Sequence, residues 1–271
     1  MIRAHAVALA SGTDRAANAA AARDAVLRAA DAGAALVVLP EYASAFEPRG
    51  VGPELAEPLD GHFVATLCDV AARTGTTVVA GTVEPGAEPS RARNTVVAVG
   101  PGGVLGAYRK VHLYDAFGQR ESERLEPGDP AAAPLVVDVG GVRLGVLTCY
   151  DLRFPESARR LVDAGATALA VPAAWAAGEH KADHWATLLR ARAIESTAYV
   201  LGATQRGWGV TGNPAVVDPV GVVLAGAPGT DGSEGPEVAA GDLDATVVAA
   251  VRERNPSLEN RRYRVEPRST S

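Results

Sequence analysis

The sequence predicts an α/β fold in one domain, and three observations lead there. Short, wholly apolar runs alternate with longer Ala-rich or amphipathic stretches, as strands covered by helices do. Paired runs later in the chain are punctuated by Gly- and Pro-rich hairpin turns. The 271 residues, 47% hydrophobic and 21% charged, can bury a sizeable core, and no linker-like composition shift or internal repeat divides them.

Taken in order, positions 4–9 read as a first strand. Thr13-Asp14 can cap the Ala-rich helix that follows to about Ala32, and Gly33 ends it. Positions 35–39 form a fully apolar strand of the kind buried on both faces, running into Pro40-Glu41. A helix at 62–73 and a strand at 76–80 repeat the alternation. Positions 94–99 and 104–108 are strands joined by a hairpin turn at Gly100-Pro101-Gly102-Gly103. This turn is too short for a phosphate loop and lacks its Lys-Ser/Thr. Positions 111–134 have no clear period; a loop of that length is usually functional, and Tyr114 and Phe117 argue that it is ordered.

Positions 142–147 read as a buried strand that stops at Cys149, and Pro155 suits the first turn of a helix to about Asp163. Cys149 thus sits in an elbow between strand and helix. From position alone, a buried structural thiol and a reactive one both stand. A strand at 167–171, a helix at 180–197 and a strand at 199–203 follow. Then come a hairpin over 213–218 and 220–225, a Gly-rich loop at 228–236, a strand at 238–243 and a helix at 245–254. The tail, 255–271, is Arg-rich and extended.

Composition narrows the function. A net charge of −6 argues against nucleic-acid binding. No apolar run approaches the ~20 residues of a membrane span, and the N-terminus shows no signal peptide. Two cysteines, Cys68 and Cys149, fit a reducing cytoplasm. Of the 26 basic residues, all but Lys110 and Lys181 are arginine. A surviving lysine marks a place where a compact ammonium matters, or simple drift; drift is the preferred reading for Lys181, in its polar stretch.

Glu41, Lys110 and Cys149 each lie just past an expected strand. If those strands are neighbours, the three converge on one cleft. Together they supply what amide hydrolysis through a thioester requires: a thiolate that attacks, a cation that steadies the oxyanion and a carboxylate that shuttles protons. A neighbouring ammonium would also lower the thiol pKa.

PEYAS around Glu41, YRKVHLYD around Lys110 and LTCYDLRFPE around Cys149 resemble the three signature blocks of the nitrilase, or carbon–nitrogen hydrolase, superfamily, in the right order. The similarity continues through FGQRESERLEPGD, VPAAW, HWATLLRARAIESTAYV and the NRRYR tail, and so covers nearly the whole chain. CYDLRFPE is most similar to the small-amidase branch that includes ω-amidase and deaminated-glutathione amidase. The resemblance implies a four-layer α-β-β-α sandwich and a catalytic set with Cys149 as nucleophile, Glu41 as general base and acid, and Lys110 as oxyanion cation. It also implies the backbone N–H of Tyr150 as second oxyanion donor and Glu121 as a second glutamate positioning substrate and Lys110. Asp151 and Arg153 match motif positions with a structural role at the elbow.

The expected activity is a cytoplasmic amidase acting on a small carboxylate-bearing amide, with no cofactor or metal. An N-carbamoyl hydrolase or nitrilase is the alternative, and a non-catalytic binding protein on the same fold a distant one. Substrate-binding candidates are Trp175 and, from the loops, Arg91, Arg93, Arg120 and Arg206, among which the sequence does not choose. Related amidases tend to carry Gly-x-Ser where this chain has Gly212-Asn213-Pro214, which bears on specificity. His180 and His184 have a zinc-compatible i, i+4 spacing, but the zinc-protease glutamate is absent, so no metal site is expected. On helix 180–197, Trp185, Leu188, Leu189 and Ala193 fall on one face and Ala191, Ile194 and Ala198 on nearly the opposite one. Two apolar stripes predict packing on both sides, hence a homodimer or higher even-numbered oligomer, with the tail at the subunit interface.

Overall fold

The computed structural model describes residues 1–226 and 237–268. The expected Gly-rich loop at 228–236 and the last three residues of the tail lie outside them. The strands are β1 (Ile2–Leu9), β2 (Leu36–Val38), β3 (Thr77–Pro85), β4 (Ala92–Gly100), β5 (Gly103–Arg109), β6 (Val136–Val139), β7 (Val142–Val146), β8 (Ala168–Ala173), β9 (Tyr199–Gln205), β10 (Ala215–Val217), β11 (Val223–Ala225) and β12 (Val238–Leu243). The helices are α1 (Arg15–Asp31), α2 (His62–Thr74), α3 (Pro155–Asp163), α4 (Lys181–Ser196) and α5 (Ala245–Arg254). Local signals set their ends. Asp14 caps α1 by accepting from the N–H groups of Ala16 and Ala17, and Gly75 ends α2 in the left-handed conformation.

Hydrogen bonding orders the strands into two halves. One runs β5-β4-β3-β2-β1-β12; the other runs β6-β7-β8-β9-β10-β11. Among the described residues, strand pairing joins them only where the end of β1 meets the end of β9, Ala8 with Thr204 and Leu9 with Gln205. Elsewhere the halves stack face to face, and the period-2 alternation of side chains sorts the core into layers. Leu36, Val38 and Val79 join Ala168, Ala170, Leu201 and Ala203 in a core between the sheets. Their neighbours Val37, Leu39, Val78 and Ala80 pack outward on α1 and α2. Leu169, Val171 and Val200 pack outward on α3 and α4, against Leu161, Trp185 and Leu189. The result is the α-β-β-α sandwich. Among the described residues, no helix is long and apolar enough to cross a membrane.

The late hairpin is far shorter than expected: only Ala215–Val217 and Val223–Ala225 pair, because the Asp218 carboxylate and backbone organise the intervening turn through Val220 and Val222.

β3 runs directly across the turn that follows β2. A Cβ added at Gly81 would lie 2.5 Å from the Glu41 Cα and from the Tyr42 N, both backbone atoms that cannot step aside. Gly81→Ala should therefore destabilise the protein by about 1–3 kcal/mol and displace Glu41. Chemical denaturation together with turnover checks this; an unchanged midpoint with full activity contradicts it.

Candidate active site

The β2 strand delivers Glu41 to the carboxyl end of its sheet, where the chain turns through Tyr42 at φ 58°. Glu41 is 1% exposed. Its Oε1 accepts from Lys110 Nζ (3.0 Å) and Asn94 Nδ2 (2.7 Å), and its Oε2 accepts from the Ala174 N–H (2.7 Å). Lys110 follows β5 and is fully buried. Its ammonium also reaches both oxygens of Glu121, at 3.1 and 2.9 Å. Glu121, in the 3₁₀ turn Glu121–Glu123, is fixed in turn by the Tyr42 hydroxyl (3.0 Å) and the Tyr114 N–H (2.7 Å).

Cys149 stands at the elbow after β7, at φ 47°, where a 3₁₀ turn (Cys149–Arg153) leads into α3. Asp151 holds that turn from beneath. It is fully buried, and its carboxylate accepts from the Tyr108 hydroxyl (2.7 Å), the His112 N–H (3.1 Å) and the Thr148 N–H (3.2 Å), with His112 Nδ1 also at 2.7 Å. The His112 ring stacks on Phe154, 3.8 Å between centroids. The N–H of Tyr150 lies in the first turn of a short helix, where N–H groups lack intrahelical acceptors.

Cys149, Glu41, Glu121 and Tyr150 line one cavity of about 220 Å³ together with Tyr42, Tyr114, Arg153, Trp175 and Lys181. Lys110 is bonded to two of these lining residues, Glu41 and Glu121. Burial, and then the Glu41 carboxylate in hydrogen-bond contact with it, push the Cys149 thiol well above its ordinary range; the Lys110 ammonium only partly opposes them. The lowered thiol pKa expected from the lysine is thus overridden. On Lys110 itself burial disfavours the charge, but Glu121 and Glu41 outweigh it and hold the ammonium protonated well above the ordinary lysine range.

The predicted substrate arginines lie elsewhere. Arg93 donates to Glu126 (2.9 Å), Arg120 pairs with Glu123 (3.7 Å), Arg206 pairs with Glu237 (3.2 Å), and Arg91 sits on the β3–β4 connection. None lines the cavity. Arg153, expected to be structural, does, its guanidinium 4.9 Å over the Trp175 ring. So does Lys181, read from sequence as drift: it is buried, donates to the Tyr114 hydroxyl (2.7 Å) and lies 3.6 Å from the Phe117 ring centre. Burial and then Arg153 depress its pKa. The signal was available, since the rarity of lysine singled out both lysines equally. Asn94 and the Ala174 N–H had no sequence signal beyond their strands. Gly212-Asn213-Pro214 packs against the back of the site, the Asn213 carbonyl accepting from Trp185 Nε1 (2.9 Å). His184 Nδ1 lies 3.2 Å from the Arg153 guanidinium. Among the described residues no group of three or more His, Cys, Asp or Glu could hold a metal ion.

These shifts carry a sign. Cys149, Tyr42 and Tyr108 have folded pKa values raised above ordinary values of 9.0, 10.0 and 10.0, the tyrosines by burial first. Lys110 is raised above 10.5. The native state therefore keeps protons that the unfolded chain releases, and stability falls as pH rises through and beyond that range. Denaturation midpoints should drop above about pH 9, with a shallower slope in Cys149→Ala. A midpoint level to pH 11 contradicts the assignment.

Comparison with known proteins agrees with this geometry. Residues 3–253 match the carbon-nitrogen hydrolase family. The chain is 38% identical over 238 residues to the deaminated glutathione amidase of Escherichia coli O157:H7, covering 87% of this chain and 88% of that one. Among solved structures it superposes on the NitFhit protein of C. elegans with a TM-score of 0.85 and 29% identity, covering 96% of this chain and 65% of that one. It also superposes on a mutant amidase from Nesterenkonia sp. AN1 that carries the acetamide moiety of fluoroacetamide on its active-site cysteine; there the TM-score is 0.78 and the identity 28%, over 96% of this chain and 94% of that one. With its sandwich fold and its three signature blocks gathered at one cavity, the chain belongs to the carbon–nitrogen hydrolase family, among the small amidases of the nitrilase superfamily.

Proposed function

We propose that the protein hydrolyses the C–N bond of a small carboxylate-bearing amide through a thioester on Cys149, releasing ammonia or an amine. The observation that carries this is that Cys149 and Glu41, the latter bonded to the buried Lys110 ammonium, line one cavity together with the cations Arg153 and Lys181. The thiol is protonated at rest, so attack needs a base. As Sγ adds to the carbonyl carbon, its proton passes to Glu41. The oxyanion is held by the Lys110 ammonium, which exchanges one of its Glu121 contacts for it, and by the Tyr150 N–H. Glu41 then gives its proton to the departing nitrogen as the C–N bond breaks. Water enters, Glu41 takes its proton, the hydroxyl adds to the thioester, and collapse returns the acid and the Cys149 thiol. The amide named for the Escherichia coli relative and the cysteine-bound acetamide of the Nesterenkonia enzyme support the same chemistry.

Carboxylate preference rests on Arg153 and Lys181. Among the described residues neither is paired with an acidic side chain, and a substrate carboxylate would meet both. Trp175, which lines the same cavity beneath the Arg153 guanidinium, provides an apolar wall. Ammonia release should be measured on ω-amides of dicarboxylic acids, neutral amides, N-carbamoyl acids and nitriles. Cys149→Ala should abolish turnover and rapid quench of the wild type should trap an acyl group on Cys149. Lys181→Met should raise KM for carboxylate-bearing amides and leave neutral amides unaffected. Turnover by Cys149→Ala, or preference for nitriles or N-carbamoyl acids, would overturn the reading.

The protein works as a single domain in a reducing cytoplasm, its two cysteines free, and assembles as a homodimer or larger even-numbered oligomer. The expected outer stripe of α4 changes in detail: Ala198 is buried beyond the helix end, while Ile194 is 47% exposed. Ile194 touches the turn of the late hairpin at Gly221, and Val220, Val222 and Leu224 extend the apolar surface. A second copy pairing about a twofold axis would cover it, with the tail from 255 onward along the junction. Sedimentation equilibrium at micromolar concentration should give at least twice 27.7 kDa; a fully active monomer contradicts this.

A further inference from the structure

Asn94 occupies a strand position in β4, opposite Val83 of β3, where an apolar residue would be the ordinary choice. It is 1% exposed. Its side-chain amide donates to Glu41 Oε1 at 2.7 Å, and its backbone carbonyl accepts from the Lys110 N–H at 2.9 Å. One residue thus ties the backbone of the cation to the side chain of the carboxylate. The orientation of the amide is decided by its surroundings: turned over, its oxygen would face a carboxylate oxygen at 2.7 Å. In the arrangement adopted, Asn94 Oδ1 is buried with no hydrogen-bond partner. A buried amide kept despite an orphaned acceptor points to use of its donor.

A carboxylate oxygen has two lone-pair sites. On Glu41 Oε1 both are taken, by Asn94 Nδ2 and Lys110 Nζ; Oε2 accepts one backbone donor, the Ala174 N–H, and the Cys149 thiol is in hydrogen-bond contact with the same carboxylate. We propose that Asn94 is a positioning residue that keeps Oε1 an acceptor and so routes the proton transfers of Glu41 through Oε2. While Lys110 exchanges a Glu121 contact for the oxyanion, the Asn94 bond beside that of Lys110 keeps Oε1 occupied and the carboxylate from rotating. Lys110, Glu121, Cys149 and Tyr42 are the other charged or titratable groups around Glu41. The Asn94 amide is neutral, so it orients Glu41 without adding charge to that group.

This inference rests on Glu41 being the proton shuttle, and the test separates the two. Asn94→Leu keeps the shape and removes both the donor and the orphaned acceptor. Asn94→Asp keeps the shape and sets a second carboxylate against Oε1. Both are compared with wild type by kcat and KM on the best amide of the ammonia-release screen. Both are also compared by the rate of iodoacetamide labelling of Cys149, read by mass spectrometry against Cys68. Asn94→Leu should lose roughly 10- to 100-fold in kcat with KM little changed and unfolding still cooperative. Asn94→Asp should lose more, and Cys149 should label more slowly in both. Asn94→Ser repeats the test should Asn94→Leu fail to fold. A folded variant with wild-type kcat and labelling rate, or one whose loss is confined to KM, overturns the proposal. Glu41→Gln is measured alongside. If it retains turnover, the shuttle itself is wrongly assigned; if it is inactive while Asn94→Leu is unimpaired, only the role of Asn94 falls.

Discussion

The site depends on one buried ammonium between two carboxylates. Lys110 has no exposed side-chain surface, and its contacts run to Glu41 and Glu121. Removing the ammonium would leave two carboxylates without a counter-charge in the interior, at a cost of about 3–5 kcal/mol. Such a triad survives only if its members arrive from fixed directions, and the fold supplies them. Glu41 comes off the end of β2, Lys110 off the end of β5, and Glu121 from a short turn anchored by Tyr42 and the Tyr114 backbone. The two strands belong to one half of the sandwich. Cys149 comes from the other half, so the cavity lies where the halves face each other, near the β1–β9 junction that joins them.

That arrangement decides the chemistry. A buried thiol beside a carboxylate does not ionise readily, and Cys149 is shifted accordingly. In the proposed reaction the lysine therefore serves less to make a standing thiolate than to stabilise charge that appears on the substrate. Glu41 is suited to the proton work because its surroundings are rigid and already satisfied. A second polar assembly, Asp151 with Tyr108, His112 and Thr148, lies beneath the elbow and shares no hydrogen bond with the first. One assembly holds the reacting groups; the other holds the backbone on which the nucleophile stands.

Much of this was legible in the sequence, and the reasons for the rest are physical. Glu41, Lys110 and Cys149 stood out because each directly follows an apolar strand, and chain position alone marks the end of a strand. The substrate arginines did not, because whether an arginine is free or already paired depends on acids far away in sequence: Arg93 meets Glu126 and Arg206 meets Glu237. Lys181 read as a solvated residue because its neighbours Glu179, His180 and Asp183 are polar; only the fold lays Tyr114 and Phe117 over it. Asn94 looked like any strand residue, and the Ala174 N–H carries no side-chain signal at all. Among strands the miss was β6, whose four residues hold too few periods to read; the expected late hairpin is present as β10 and β11 but shorter.

Backbone strain marks the same place. Among the described residues, the non-glycine residues at positive φ are Tyr42, Phe117, Cys149, His180 and Thr197. Tyr42 and Cys149 line the cavity, Phe117 covers Lys181, and His180 directly precedes it. Such conformations cost of order 1–3 kcal/mol each and suit glycine better. Glycine would relieve the strain and lose the function at Tyr42, whose hydroxyl orients Glu121, and at Cys149, whose sulfur is the proposed nucleophile. The elbow therefore needs both a left-handed turn and a side chain at the same residue. Compensation must come from outside that residue, and Asp151 is placed to provide it: one of its oxygens accepts the Thr148 N–H just before the turn, while both are pinned by groups from the β5 end and the loop beyond it. The geometry of the proposed nucleophile is in this sense held by a carboxylate outside the cavity lining.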